Sequence, residues 1–140
     1  MKIAIINGPN LNLLGKRETG IYGSQSFEDY LAVLKNKFSA VDFSYYQSNV
    51  EGELIDEVQR VGYLYDGVVI NPGGYTHTSV ALGDAIAAIT APVVEVHISN
   101  IFGREEFRKL SHVSGKSAGV ISGLGLHGYA LAVDYLLHKA

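Results

Sequence analysis

There is no cysteine among these 140 residues. That excludes a disulfide framework, a thiolate metal site and a cysteine nucleophile. A basic cluster is missing too. Lysine and arginine number 11 against 14 acidic residues, for a net charge of −3, so the electrostatic footprint of a nucleic-acid partner is absent. No apolar run approaches the roughly 20 residues that a membrane span requires, and the run Ile3 to Ile6 is too short for the apolar segment of a secretory signal. The five histidines show no metal-ligand spacing. What remains is 47% hydrophobic and 18% charged, an ordinary globular composition rather than a disordered one. Residues 1–140 fit one domain large enough to bury a real core. The expectation is a soluble cytoplasmic protein.

Short β-branched runs alternate with helical patterns along the whole chain. Strands are predicted at 2–6, 41–47, 66–71, 92–99 and 118–122. Between them, Phe27, Tyr30, Leu31, Leu34 and Phe38 form one helical stripe, with Ser26 as N-cap and Asp29 at the capping-box position. Leu54, Ile55, Val58 and Val61 form a second stripe, and Leu82, Ala85, Ile86 and Ile89 a third. A short helix over Glu105 to Ser111 and a long closing helix over Leu124 to Leu137 complete the pattern. Strand–helix alternation implies parallel strands joined by right-handed crossovers, hence an α/β three-layer sandwich. The runs 66–71, 92–99 and 118–122 are almost continuously apolar, as expected of strands covered on both faces. The run 41–47 alternates and carries Asp42 and Ser44, which places it at an edge. A five-stranded parallel sheet in the order 2-1-3-4-5 satisfies these constraints. Ligands bind such sheets beyond the carboxyl ends of the strands, at the switch between strands one and three.

The strand ends are chemically loaded. Strand one runs into "NGPNLNLLGKRETGIYG", residues 7–23, far longer than the ~2–6 residues such a connection needs. It carries Asn10, Arg17 and Tyr22. A guanidinium near a phenol stabilises phenolate and lowers its pKa toward that of a usable base; the bland alternative is two solvated loop residues. Strand three runs into "NPGGYTHTS", where Asn71 can present an amide at a sharp turn leading to a cap at Thr78 or Ser79. His77 is not needed for that turn. Glu95 and His97 lie two apart on strand four and share a face. A carboxylate beside an imidazole orients it and raises its pKa, favouring a general acid, unless the two are only a satisfied buried pair. Arg104 and Arg108 share one helical face, Arg104 suited to a nearby glutamate and Arg108 to an anionic or polyhydroxylated ligand.

Two tempting readings fail. "GLGLHG", Gly123 to Gly128, matches the dinucleotide fingerprint, but only 12 residues follow it, too few for the second half of a βαβ unit and its acidic residue. Its glycines suit close helix–sheet packing instead. A phosphoacceptor receiver domain would need clustered aspartates where asparagines stand.

Taken in order, "NGPNLNLLGKRETGIYG", "QSNVEGELID", "NPGGYTHTSVALGDA", "EVHISNIFGREEFRKLS" and "GVISGLGLHGYALA" resemble type II 3-dehydroquinate dehydratase from residue 3 to about 136. The resemblance implies a flavodoxin-like fold, a dodecamer built as a tetramer of trimers, and a place in the shikimate pathway of aromatic amino acid biosynthesis. It implies loss of water from 3-dehydroquinate by anti elimination through an enolate, with no Schiff base, metal or cofactor. By resemblance, Tyr22 is the base, Arg17 the cation holding it as phenolate, and Asn10 the residue positioning a water on the enolate oxygen. His97 is the acid and Glu95 its orienting partner. Asn71 and the backbone at Ile98 and Ser99 cradle the substrate carboxylate, His77 and Arg108 bind ring hydroxyls, and Asp84 reaches into a neighbouring subunit's site. Gly83 and His112 depart from the pattern, standing where relatives often have arginine and tyrosine. The competing class is a non-catalytic flavodoxin-like module binding a flavin or nucleotide. Against it, the first loop lacks a Ser/Thr-rich phosphate cradle.

Overall fold

The computed structural model describes residues 1–16, 20 and 24–139. Five strands, β1 (Lys2–Asn7), β2 (Asp42–Gln47), β3 (Gly67–Asn71), β4 (Val93–His97) and β5 (Gly119–Ser122), form one parallel sheet ordered β2-β1-β3-β4-β5. This is the flavodoxin-like order expected from the alternation of elements. Between and after the strands lie α1 (Phe27–Lys37), α2 (Glu51–Gly62), α3 (Val80–Ala88) and α4 (His127–Lys139).

The strand pleat sorts the core into two layers. Ile3, Ile5, Val69, Val94 and Val96 face α1 and α4, while Ala4, Ile6, Val68, Ile70 and Val93 face α2 and α3. The first two helices answer with most of their expected stripes: Phe27, Tyr30 and Leu34 of α1 are buried, as are Leu54, Val58 and Val61 of α2. Ser26 caps α1 through its hydroxyl, which accepts from Asp29 N at 3.2 Å. Ser79 caps α3 in the same way, accepting from Leu82 N at 2.9 Å. Such caps satisfy amides that the first helical turn leaves unpaired.

Three expectations need correction. β5 is not covered on both faces: it is the second edge strand, and Val120 is 41% exposed. Its apolar run reflects position beside the buried β4 rather than full enclosure. The closing helix starts at His127, because residues before it form a turn with Gly123 and Gly125 at φ 91° and 64°. The helix expected over Glu105 to Ser111 is instead a 3-10 turn at Glu106–Lys109, with none of its four residues buried. The third glycine of the false fingerprint does pack helix on sheet, since a Cβ at Gly128 would lie 3.2 Å from Val96 Cγ1.

Candidate active site

Parallel register lines up three carboxamides at the carboxyl end of the sheet, Gln47 opposite Asn7 and Asn7 opposite Asn71. Asn7 and Asn71 are buried and joined by a phenol from α4. Tyr129 OH donates to Asn7 Oδ1 at 2.7 Å and accepts from Asn71 Nδ2 at 3.0 Å. Burial pushes the Tyr129 hydroxyl well above the ordinary tyrosine value, against the pull of its hydrogen bonds to Asn71 and Asn7, so it stays a neutral donor. Asn71 Oδ1 accepts from Gly73 N at 3.1 Å, which fixes the turn out of β3. The loops after β1 and β3 touch through their backbones. Gly8 N donates to Asn71 O at 2.7 Å, and a Cβ at Gly8 would meet Pro72 O at 2.4 Å. Only glycine permits that approach.

Glu95 and His97 project together from β4, as the two-residue spacing requires. Glu95 is fully buried, and its carboxylate has three donors: His97 Nε2 and Thr76 Oγ1 at Oε2, and Ser114 Oγ at Oε1. Burial alone would raise the Glu95 pKa. The hydrogen bond and charge of His97, with the Ser114 and Thr76 hydroxyls, outweigh it and hold the carboxyl below the ordinary range. An ionised carboxylate only accepts, so His97 Nε2 carries a proton and Nδ1 is the nitrogen left for the crevice.

A second imidazole lies alongside, the His77 and His97 ring centroids 6.3 Å apart and 22° from parallel. His77 Nδ1 bonds to Leu110 O at 2.7 Å. A carbonyl only accepts, so Nδ1 donates and Nε2 is left as an acceptor. Burial lowers the His77 pKa, the Leu110 hydrogen bond opposes it, and His97 and Arg108 lower it further. His77 is thus a neutral hydrogen-bonding group near neutral pH.

These side chains line a crevice of about 140 Å³ over the ends of β1, β3 and β4. Of the residues singled out in the sequence, Asn10, Asn71, His77, His97, Ile98, Ser99 and Arg108 all reach it. Glu95 supports it from below. Asn10 holds a left-handed backbone at φ 69°, the lone positive φ outside glycine among the described residues, and its N–H donates to Asn49 Oδ1 at 2.9 Å. Asparagine tolerates that region better than most residues. The N–H groups of Ile98 and Ser99 have no hydrogen-bond partner among the described residues. Asp84 is exposed on α3 and does not line the crevice. Arg17 and Tyr22 lie outside the described residues.

Both arginines border the crevice, and both also interact with Glu105. The ion pair joins Arg108 to Glu105, with the guanidinium 5.0 Å from the Phe107 ring centroid. Arg104 donates to Ser99 Oγ at 3.2 Å and also borders the crevice. Sequence reasoning missed Thr76, Ser111, Ser114 and Tyr129. Hydroxyls carry no periodicity, and Tyr129 reads as one more apolar position on α4. The nearest signal was the clustering of "TH" and "SHVS" next to recognised site segments.

The molecule is an α/β sandwich with an ionised carboxylate–imidazole pair on β4 and carboxamides at its switch point. The comparisons with known proteins narrow that class. The family model for class II dehydroquinases matches residues 1–137, and the chain belongs to that family. A 3-dehydroquinate dehydratase of Fusobacterium nucleatum is 52% identical over 142 residues, spanning 98% of this chain and 97% of the relative. 3-Dehydroquinate dehydratase 1 of Agrobacterium fabrum is 54% identical over 136 residues, spanning 96% and 94%. The crystal structure of a type II dehydroquinase from Butyrivibrio crossotus superposes with a TM-score of 0.94 at 45% identity, covering 98% of this chain and 97% of that one.

Proposed function

We propose that this protein removes water from 3-dehydroquinate to give 3-dehydroshikimate, by anti elimination through an enolate. The observation that carries the reading is the Glu95–His97 pair at the crevice edge, an imidazole backed by a carboxylate held ionised. Relatives at about half identity are named for this dehydration.

Taking a proton from the carbon beside a ketone needs a base and a partner for the enolate charge. Expelling the neighbouring hydroxyl needs an acid. In this reading Tyr22, kept as phenolate by Arg17, takes the proton, and Asn10 positions a water on the enolate oxygen. The electron pair then forms the carbon–carbon double bond. His97 gives its Nδ1 proton to the departing hydroxyl, which leaves as water. The base ends protonated and the acid deprotonated, and exchange with solvent resets both. Base and acid thus need opposite protonation states at one pH, set by their surroundings.

Asn71 with the Ile98 and Ser99 amides suits the substrate carboxylate, while His77 Nε2 and the Arg108 guanidinium suit ring hydroxyls. Asp84, exposed and away from this crevice, is assigned to a neighbouring subunit's site in a dodecamer, a tetramer of trimers. The scheme needs no Schiff base, metal or cofactor, and we assign it to the shikimate pathway in the cytoplasm, catalysed by residues 1–140 as one domain.

Appearance of the conjugated enone product by ultraviolet absorbance is the test. Turnover is expected without added metal and after borohydride treatment with substrate. Loss of activity on borohydride would indicate a lysine imine and overturn the enolate scheme.

A further inference from the structure

Behind the crevice, one short segment touches the supports of both imidazoles. Leu110 O accepts from His77 Nδ1 at 2.7 Å. Ser114 Oγ donates to Glu95 Oε1, on the carboxylate that holds His97. Between them, Ser111 Oγ accepts from Val113 N at 3.0 Å and Ser114 N at 2.9 Å, which winds the segment into a tight turn. The same segment is tied to the loop after β3: His112 N donates to Thr76 O at 2.8 Å, and Ser111 Oγ lies 3.4 Å from Thr76 Oγ1.

Its outer side rests on α3. A Cβ added at Gly83 would lie 2.2 Å from His112 O, inside any allowed contact with backbone. α3 therefore accepts the segment at this depth only because residue 83 has no side chain. Gly83 and His112 are each other's neighbours.

We propose that Leu110–Ser114 is a strap that sets both imidazoles at once, with Ser114 and Thr76 as positioning residues acting through Glu95 and Gly83 fixing how deeply the strap sits. This rests on the function proposed above, in which the two histidines serve one substrate. It goes beyond that reading by tying their geometry to a segment outside the crevice. The strap works by constraint: three donors on one buried carboxylate leave it a single orientation, and that orientation aims the His97 ring. The titratable groups facing Glu95 are His97, in direct contact, and His77, which acts at longer range with Arg108 beside it.

The test reads the site without needing turnover. Carboxyl and imidazole signals of Glu95 and His77 are followed by pH-titration NMR in the whole protein, for wild type, Ser114→Ala, Ser114→Thr and Gly83→Ala. Ser114→Ala removes one donor from the carboxylate, so the Glu95 midpoint is expected to rise by about one pH unit. Ser114→Thr keeps the hydroxyl and restores it. Gly83→Ala pushes on the strap and shifts Glu95 and His77 signals together. In the enone absorbance assay, Ser114→Ala is expected to lower kcat about tenfold, with KM within about twofold and the acid limb of the kcat profile moved to higher pH. An unmoved Glu95 midpoint in Ser114→Ala overturns the strap, as does equal loss of kcat in Ala and Thr. If Gly83→Ala does not fold, the two Ser114 variants decide the matter. A wild type that leaves 3-dehydroquinate unchanged defeats the proposed function instead, while the NMR midpoints still judge the strap.

Discussion

The two walls of the crevice are built on different physics. On the β4 side stand charge and small hydroxyls: Glu95, His97, Thr76 and Ser114 are joined by direct hydrogen bonds. On the β1 side stand neutral carboxamides. Gln47 Nε2 donates to Gly8 O at 3.1 Å and to Asn49 Oδ1 at 3.2 Å, and Asn49 in turn holds the left-handed Asn10. A buried ion keeps its charge only where partners compensate its lost hydration, so the first wall must be rigid and complete. Neutral amides bear a smaller cost, and Gln47 and Asn49 stay partly exposed. A proton-donating group thus belongs on the β4 wall.

Several substitutions would break or sharpen that contrast. The largest losses should come from the groups assigned to proton transfer. Tyr22→Phe, Arg17→Ala and His97→Asn should each lower kcat at least ~100-fold, measured by product absorbance; near-normal turnover would remove that residue from the scheme. Next is Glu95→Gln, expected to cost at least ~10-fold in kcat. It should also alter the acid arm of stability. The native Glu95 pKa is depressed, so its contribution is fully present above the ordinary 4.5 and is lost as pH falls through the lowered value. Thermal melting between neutral and acid pH should therefore decline less steeply in Glu95→Gln. The depressed His77 acts with the same sign, beginning at the ordinary 6.5.

A smaller effect is expected beneath the floor. Tyr129→Phe leaves Asn7 Oδ1 and Asn71 Nδ2 without their shared partner, costing about 1–3 kcal/mol by denaturant titration. A loosened Asn71 should raise KM more than it lowers kcat. The reverse split would argue that Asn71 does not hold substrate. The smallest effect belongs to the amide wall: Asn10→Ala should be less stable than Asn10→Gly by about 1 kcal/mol, because alanine resists a left-handed backbone. Equal stability would mean that the backbone at residue 10 relaxes.

The fold was legible because each element carries its own period. Alternating Asp42–Gln47 marked an edge, and the Leu54–Val58–Val61 stripe marked a buried helix face. Glu95 and His97 could be paired because a two-residue offset fixes a common face on any strand. Spacing said nothing of which elements would converge from afar. Ser114 meets Glu95 across 19 residues and Tyr129 meets Asn7 across 122, distances over which single residues leave no pattern. The pairing of Arg108 with Glu105, which the spacing did not suggest, has a related cause. The segment winds as a 3-10 turn, and its i, i+3 neighbours bring Glu105 to Arg108 and Glu106 to Lys109.

The backbone contact between Gly8 and Pro72 has a consequence for how such a site can change over time. Because the loops after β1 and β3 are welded at that point, neither can be lengthened, shortened or exchanged alone without losing the other's register. A library that varies residues 8–10 and 71–74 together should yield folded descendants where separate libraries do not, and new substrate preferences in this scaffold would have to arise through such joint replacement.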